Sequence, residues 1–282
     1  MTDLSRDNFR KIRGEILDDA RNIVSECNQT PKLAIIQNGY NEASNTYVRN
    51  KVATCKAIGI SVDCLKVNVD FKMMKNLIKE TVDSRKYDGI VIQLPLPEEM
   101  KDHEQELLDM IPWYMDVDGL STESVGRLWN DRECLIPATA YGVSRLIDSL
   151  FPNGLNMKKV SIINRSRLIG KPLMKLMLNK NATVEVLHSK SHISDIRRAF
   201  KYSDLLITGI GNTSLIGNWE FASSDLLWID CGIMRNAHGL CGDAGCLKSE
   251  RISPVPFGVG QLTTASIALN VAKAQKMENR NG

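Results

Sequence analysis

The 282-residue sequence has no run of about eighteen apolar residues, no run of three or more Lys or Arg and no Cys-x-x-Cys pair. The first absence leaves no candidate membrane-spanning helix. The start, Met1-Thr2-Asp3-Leu4-Ser5-Arg6-Asp7, mixes charges without an apolar segment, so no export signal is expected and a cytoplasmic setting is. A net charge of only +3 with no basic stripe argues against nucleic acid as a partner. The seven cysteines are odd in number and scattered, which excludes a disulfide framework or zinc knuckle and suits reduced cytosolic thiols. Cys231, Cys241, Cys246 and His238 lie close in sequence, but their irregular spacing reads as ordinary thiols and no metal is expected. With 43% hydrophobic and 24% charged residues, the chain can bury the cores of two ordinary domains or one large one.

The chain opens with a charged amphipathic helix from about Asp7 to Cys27, then a buried strand, Lys32-Leu33-Ala34-Ile35-Ile36-Gln37, and a Gly39-Tyr40-Asn41 turn. The next helix carries Ala43-Ser44-Asn45-Thr46-Tyr47-Val48-Arg49-Asn50-Lys51 and ends at Gly59, with Ser44 placed as its N-cap. Val48, Val52 and Cys55 mark its core face, so Tyr47 and Lys51, four residues apart, form a stripe bordering the buried side. A lysine held beside apolar packing loses hydration of its ammonium, which favours proton transfer near neutral pH. Taken alone, such a pair is more often a rim whose lysine stem lies over apolar surface. A strand Ile60–Val67, a helix Met73–Arg85 and a continuous apolar strand, Gly89-Ile90-Val91-Ile92-Gln93-Leu94, complete a parallel α/β pattern. Gln93 stands at the carboxyl end of that strand, where ligands collect; the bland alternative is a strand-end amide turned to solvent. Leu94-Pro95-Leu96-Pro97 is a stiffened loop that can wall a pocket, and Asp116-Val117-Asp118-Gly119 reads by itself as a turn.

After a helix over Pro137–Leu150, Phe151-Pro152-Asn153-Gly154 ends the first domain and a second α/β pattern follows. Its strands are Val160–Ile163, Thr183–Leu187, Asp204–Ile207 and Leu226–Asp230, with helices from Lys171-Pro172 and over Ile193–Phe200. The alternation predicts a Rossmann-like sheet, although no Gly-x-Gly-x-x-Gly follows its first strand. An NAD site usually ends its second strand in an acidic residue; here the strand runs into His188-Ser189-Lys190. Arg165 and Ser166 in the first strand-to-helix loop are placed to meet a 2′-phosphate, a pattern that favours NADP. An ordinary surface arginine is the alternative. Last, Ile252–Leu262 reads as a rigid Pro/Gly loop, with Thr263 placed to cap a final helix through about Lys273.

Together the Tyr47/Lys51 helix, the Gly89–Pro97 strand and loop, Asp116–Gly119, Arg165-Ser166 with Ile169-Gly170 and Pro172, His188-Ser189, and Pro254–Thr263 resemble the bifunctional methylenetetrahydrofolate dehydrogenase/methenyltetrahydrofolate cyclohydrolase family. The resemblance covers nearly the whole chain in the right order. It implies a two-domain α/β fold: an N-terminal folate domain, residues 1–140, to which the C-terminal helix returns with 263–282, and a Rossmann-like NADP-binding domain, 141–262. It implies Lys51 as the catalytic lysine, Tyr47 as positioning the folate, Gln93 as hydrogen-bonding the lysine or the reacting centre, and Asp118 as binding the pterin. Leu94, Pro95 and Pro254 would line the substrate. Arg165, Ser166, Ile169, Gly170, His188, Ser189, Gly211, Gly232 and Thr263 would hold NADP. The implied reaction is oxidation of methylenetetrahydrofolate and hydrolysis of the methenyl product, with tetrahydrofolate derivatives as ligands and a homodimer as the assembly.

The sequence departs from the family's pattern in places. Asn164 stands where the family usually has glycine, Ala138-Thr139-Ala140 replaces Cys-Thr-Pro, Phe257 and Gln261 occupy a glycine and a proline position, and Ala244-Gly245 alters the usual Asp-Val. Asparagine is among the better substitutes if the turn needs a positive φ, though its side chain crowds a nearby pyrophosphate. Two rival readings are a paralogue that binds folate or dinucleotide without catalysis, against which Lys51, Gln93 and Asp118 argue, and a shikimate-dehydrogenase-like NADP oxidoreductase, against which Asp118 and the proline wall argue.

Overall fold

The computed structural model describes residues 3–38, 42–211, 223–236, 239–245, 247 and 249–281. The chain forms two compact units, Glu15–Ala138 with Thr264–Gly282, and Met1–Gly14 with Thr139–Thr263. The first fourteen residues, placed in the first domain on the sequence, therefore cluster with the second unit; the helix they open, α1 (Arg6–Ser25), is a single run of twenty residues that passes from one unit to the other.

In the first unit, β1 (Lys32–Asn38) is central, with β2 (Ser61–Val67) and β3 (Gly89–Ile92) parallel on either side in the order β2-β1-β3. The apolar runs explain the ranking: β1 and β3 are buried nearly throughout, as strands covered on both faces must be, whereas edge strand β2 is half exposed. The crossovers are α2 (Glu42–Lys56) and α3 (Phe71–Asp83), the latter capped by Asp70, whose carboxylate accepts from Met73 N–H at 2.7 Å. Ser44 lies inside the first turn of α2 rather than before it, and the turn expected at Gly39-Tyr40-Asn41 is outside the described residues.

After β3 the chain of the first unit forms a 3₁₀ turn (Glu98–His103), α4 (Glu104–Leu108) and α5 (Thr122–Trp129), none of them anticipated. They are short, and their apolar residues, among them Met100, Leu107 and Leu108, join a core already marked by Ile36, Ile90 and Ile92. Too few turns are present for a helical period to show.

In the second unit α6 (Ala138–Leu150) leads into β4 (Lys159–Ile163), α7 (Gly170–Asn179), β5 (Thr183–Leu187), α8 (Ile193–Tyr202), β6 (Leu205–Thr208) and β7 (Leu227–Asp230). The sheet is parallel in the order β5-β4-β6-β7, the doubly wound arrangement expected. A small antiparallel hairpin, β8 (Met234–Asn236) with β9 (Gly239–Cys241), follows and was not foreseen. The final helix, α9 (Val259–Asn281), starts four residues earlier and ends later than the sequence suggested. Thr263 is thus no cap: its hydroxyl donates back to Val259 O at 3.3 Å, as a threonine inside a helix does, and sits 3.1 Å from Thr139 Oγ1. The Leu94–Pro95 and Val255–Pro256 bonds are cis.

The C-terminal half of α9 serves the first unit through one buried amide. Asn270 is 1% exposed, and its Nδ2 donates to Val117 O and Ile136 O, both at 2.8 Å. Both carbonyls would lose this donor if the amide were lost, Val117 in a buried and Ile136 in a half-buried setting. Asn270→Leu should destabilise the protein by roughly 2–4 kcal/mol, with each orphaned acceptor contributing about 1–2. Urea unfolding followed by circular dichroism measures it.

Candidate active site

Asp116 organises the first unit's site. Buried at 2% exposure, it uses Oδ1 to accept from Gly119 N–H at 3.0 Å, while Oδ2 accepts from Ser121 N–H at 2.8 Å and Ser124 Oγ at 2.7 Å. Burial raises its pKa, and the donors from Ser121 and Ser124 oppose the shift. Gly119 turns the chain at φ +68°, where a Cβ would stand 2.6 Å from Leu135 O, so no other residue fits there. The turn presents Asp118, whose Oδ2 lies 3.6 Å from Lys51 Nζ; both side chains are more than four-fifths buried. The separation is that of an ion pair, longer than a hydrogen bond.

Lys51 reaches that point because Val48 and Cys55, on the adjacent stripe of α2, are buried. Burial also pushes the Cys55 thiol up to about 12, which makes it an inert packing group. Tyr47, one turn before Lys51, is 43% exposed. Gln93, just past the end of β3, keeps the ladder going by donating its N–H to Ile36 O at 2.9 Å. Its Nε2 donates to Leu94 O at 2.7 Å, and its buried Oε1 has no donor among the described residues. A buried acceptor left open costs free energy, and such atoms collect where a ligand completes them. The structure therefore joins Lys51 with Asp118 directly, and the Gln93 amide nitrogen donates to the Leu94 carbonyl. Leu94 is half-buried against the core and Pro95 exposed.

In the second unit the parallel register aligns Ile163 with Leu187 and Thr208, and Thr208 with Asp230. Asn164, His188, Gly209 and Cys231 consequently leave the sheet along one edge. Ser166 Oγ accepts from Ile169 N–H at 3.1 Å, while Arg165 is exposed with no partner among the described residues. At the β5 exit His188 N–H donates to Ser191 Oγ at 2.9 Å and Lys190 N–H to His188 Nδ1 at 3.1 Å; Ser189 is exposed, and no carboxylate stands in the run. Gly170 is buried, and a Cβ there would stand 2.0 Å from Asn164 O. The cationic Arg165, the missing acid after β5 and the glycine-tight turn fit an NADP adenosine better than an NAD one.

A pair of buried aspartates, unmarked by any short motif, shapes the same edge. Asp243 is fully buried and its two oxygens accept from Ile210 N–H and Gly211 N–H, each at 2.8 Å, holding the turn in which Gly211 has φ +68°. Asp230 accepts from Gly232 N–H and Ala244 N–H, each at 2.8 Å. Gly232 and Gly242 make room: a Cβ on either would come within 2.3 Å of the other's aspartate. Pro254 is half-buried and Phe257 is 63% exposed at φ +77°, an unfavourable conformation for so bulky a residue, with the Arg6 guanidinium 5.1 Å from its ring centre. Asn164 does not have a positive φ, so the backbone of this turn does not call for glycine there.

A Rossmann-type sheet with a closed glycine turn, joined to an α/β unit with a buried lysine–aspartate pair, defines a two-domain dinucleotide-dependent class. The chain belongs to the tetrahydrofolate dehydrogenase/cyclohydrolase family, whose catalytic-domain model matches residues 6–118 and whose NAD(P)-binding-domain model matches residues 137–279. It is 36% identical to the Bifunctional protein FolD of Lacticaseibacillus casei, over 96% of this chain and 97% of that protein. A crystal structure of the bifunctional 5,10-methylenetetrahydrofolate dehydrogenase/cyclohydrolase from Thermoplasma acidophilum superposes with TM-score 0.86 at 32% identity, covering 96% of this chain and 98% of that one. The Trypanosoma brucei methylenetetrahydrofolate dehydrogenase-cyclohydrolase, solved with NADP and inhibitor, matches at TM-score 0.85 and 26% identity over 98% of this chain and 97% of that chain.

Burial, with the Asp243 carboxylate adding to it, raises the Asp230 pKa to about 6 against the amide donors of Ala244 and Gly232. A raised carboxylate pKa means that the folded state binds the proton more tightly, so this group's contribution is full below the unfolded value near 4 and is lost as pH rises through about 6. Asn cannot titrate. The stability of the parent relative to Asp230→Asn should therefore be greater at pH 4.5 than at pH 7.5; denaturant titrations of both proteins at the two pH values check it.

Proposed function

We propose that the chain oxidises methylenetetrahydrofolate to methenyltetrahydrofolate with NADP and hydrolyses that product to formyltetrahydrofolate. The observation that carries this reading is the buried pair of Lys51 and Asp118, 3.6 Å apart, in the unit that also holds the open Gln93 oxygen. A pterin presents an amino group beside a ring N–H, and the Asp118 carboxylate can accept from both. Lys51 is the group to move protons during attack of water on the methenyl carbon, with Gln93 orienting the lysine or the reacting centre and Tyr47 positioning the folate. Leu94, Pro95 and Pro254 supply apolar surface for the flat substrate. When bound, the nicotinamide supplies the hydride acceptor; this chain's part is to hold it, through Arg165 and Ser166 at the phosphate, and Ile169, Gly170, His188, Ser189, Gly211, Gly232 and Thr263 around it.

Family membership over both units favours this reading over a shikimate-dehydrogenase-like one, and the retained Lys51 favours an enzyme over a binding paralogue. A homodimer in the cytoplasm is part of the proposal by family likeness. Among the described residues no helix is long and apolar enough to cross a membrane.

Purified protein given methylenetetrahydrofolate with NADP or NAD, followed by methenyl absorbance, tests the reaction. Lys51→Met keeps the stem and removes the ammonium. Its cyclohydrolase rate should fall about 10²–10⁴-fold while folate affinity changes far less. Parental hydrolysis by a correctly folded Lys51→Met protein would remove the lysine from the mechanism. Arg165→Ala should raise the Michaelis constant for NADP about tenfold or more, as loss of a charge-assisted contact does, and spare that for NAD. Equal losses with the two cofactors would mean that Arg165 does not meet the 2′-phosphate.

A further inference from the structure

The start of α7 lacks the open amides that a helix ordinarily offers an anion. Gly170 N–H donates to Asn164 Oδ1 at 3.0 Å and Lys171 N–H to Ser166 O at 3.0 Å; Pro172 has no N–H, and Leu173 N–H is bonded to Ile169 O. Ser166 N–H also donates to Asn164 Oδ1, at 2.7 Å. Two backbone donors thus converge on one carboxamide oxygen, while Asn164 Nδ2 donates to Gly209 O at the exit of β6. An oxygen held by convergent amides at a strand-to-helix turn is the arrangement in which phosphate is bound. Here a side chain of the protein supplies that oxygen. The surroundings are built to this fit, since a Cβ at Gly209 would lie 3.1 Å from Asn164 Nδ2 and one at Gly170 would lie 2.8 Å from Asn164 Oδ1.

We propose that Asn164 is an intramolecular competitor of the cofactor's phosphates, occupying the amides of Ser166 and Gly170 until a pyrophosphate-bearing ligand displaces it. The inference rests on the dinucleotide reading of the second unit. It makes Asn164 a determinant of cofactor affinity, and it gives the residue a second effect: the unliganded turn is held closed by three hydrogen bonds from one side chain.

The two effects have opposite signs, which makes the test specific. Because Asn164 does not have a positive φ, alanine as well as glycine is compatible with the backbone there. Asn164→Ala and Asn164→Gly should each lower the melting temperature of the ligand-free protein and tighten binding of NADP and of inorganic pyrophosphate on the order of tenfold, the effect of a hydrogen bond to a charged group. Isothermal titration calorimetry on the full chain, with folding checked by circular dichroism, reads both constants without turnover. A merely structural role would weaken binding. Unchanged or weaker NADP binding by a folded Asn164→Ala protein overturns the proposal, and so does tighter NADP binding without tighter pyrophosphate binding. If neither the parent nor the variants bind NADP, the proposal falls together with the dinucleotide reading.

Discussion

The first unit depends on a carboxylate that touches no substrate in the proposed mechanism. Asp116 gathers Gly119 N–H, Ser121 N–H and Ser124 Oγ inside the protein, and so fixes the turn on which Asp118 stands. Burying an anion costs several kcal/mol unless its lone pairs are occupied, so the donors are a condition of the fold rather than an ornament. Once they are satisfied, Asp118 has one place to be, and Lys51, carried by the packed face of α2, meets it there. Asn270 secures the same turn from behind through Val117 and Ile136. The Lys51–Asp118 pair is thus fixed in position by the hydrogen-bonded polar groups around its turn.

The second unit follows the same principle at the carboxyl edge of its sheet. Asn164 engages amides after β4, Ser191 and His188 engage amides after β5, Asp243 those after β6 and Asp230 that of Gly232 after β7. Strand exits in such sheets ordinarily leave donors for ligands. In this chain many are satisfied internally, while Arg165 in the loop after β4 is exposed. The Asp230–Asp243 pair couples that edge to protonation, because burial of Asp230 disfavours its charge and the nearby Asp243 carboxylate adds to the effect.

Much of this was legible from the chain. Continuous apolar runs announced β1, β3, β4 and β6; the strand–helix alternation implied two parallel sheets; the Tyr47/Lys51 spacing set the lysine beside a core face; and the run after β5 showed the missing acid. These are local signals, carried by side-chain periodicity or by residue type at a strand end. The short helices of 98–129 and the hairpin β8–β9 were not legible, because their few apolar residues are selected by a core that distant segments create. The start of α9 was misplaced because Pro and Gly between 254 and 260 signal a loop locally, while the burial of Val259 and Leu262 carries the helix back to Val259.

By itself the sequence determined the two α/β halves, the family and the candidate residues, since each rests on order and spacing along the chain. Only the tertiary structure decided who pairs with whom. Lys51 and Asp118 are separated in sequence by β2, α3 and β3 yet lie 3.6 Å apart, and Asn164 is a crowding residue by sequence but a staple in space. The physical reason is that hydrogen bonds and ion pairs act over a few ångströms, and which polar groups come within that reach is settled when apolar burial brings the strand ends together.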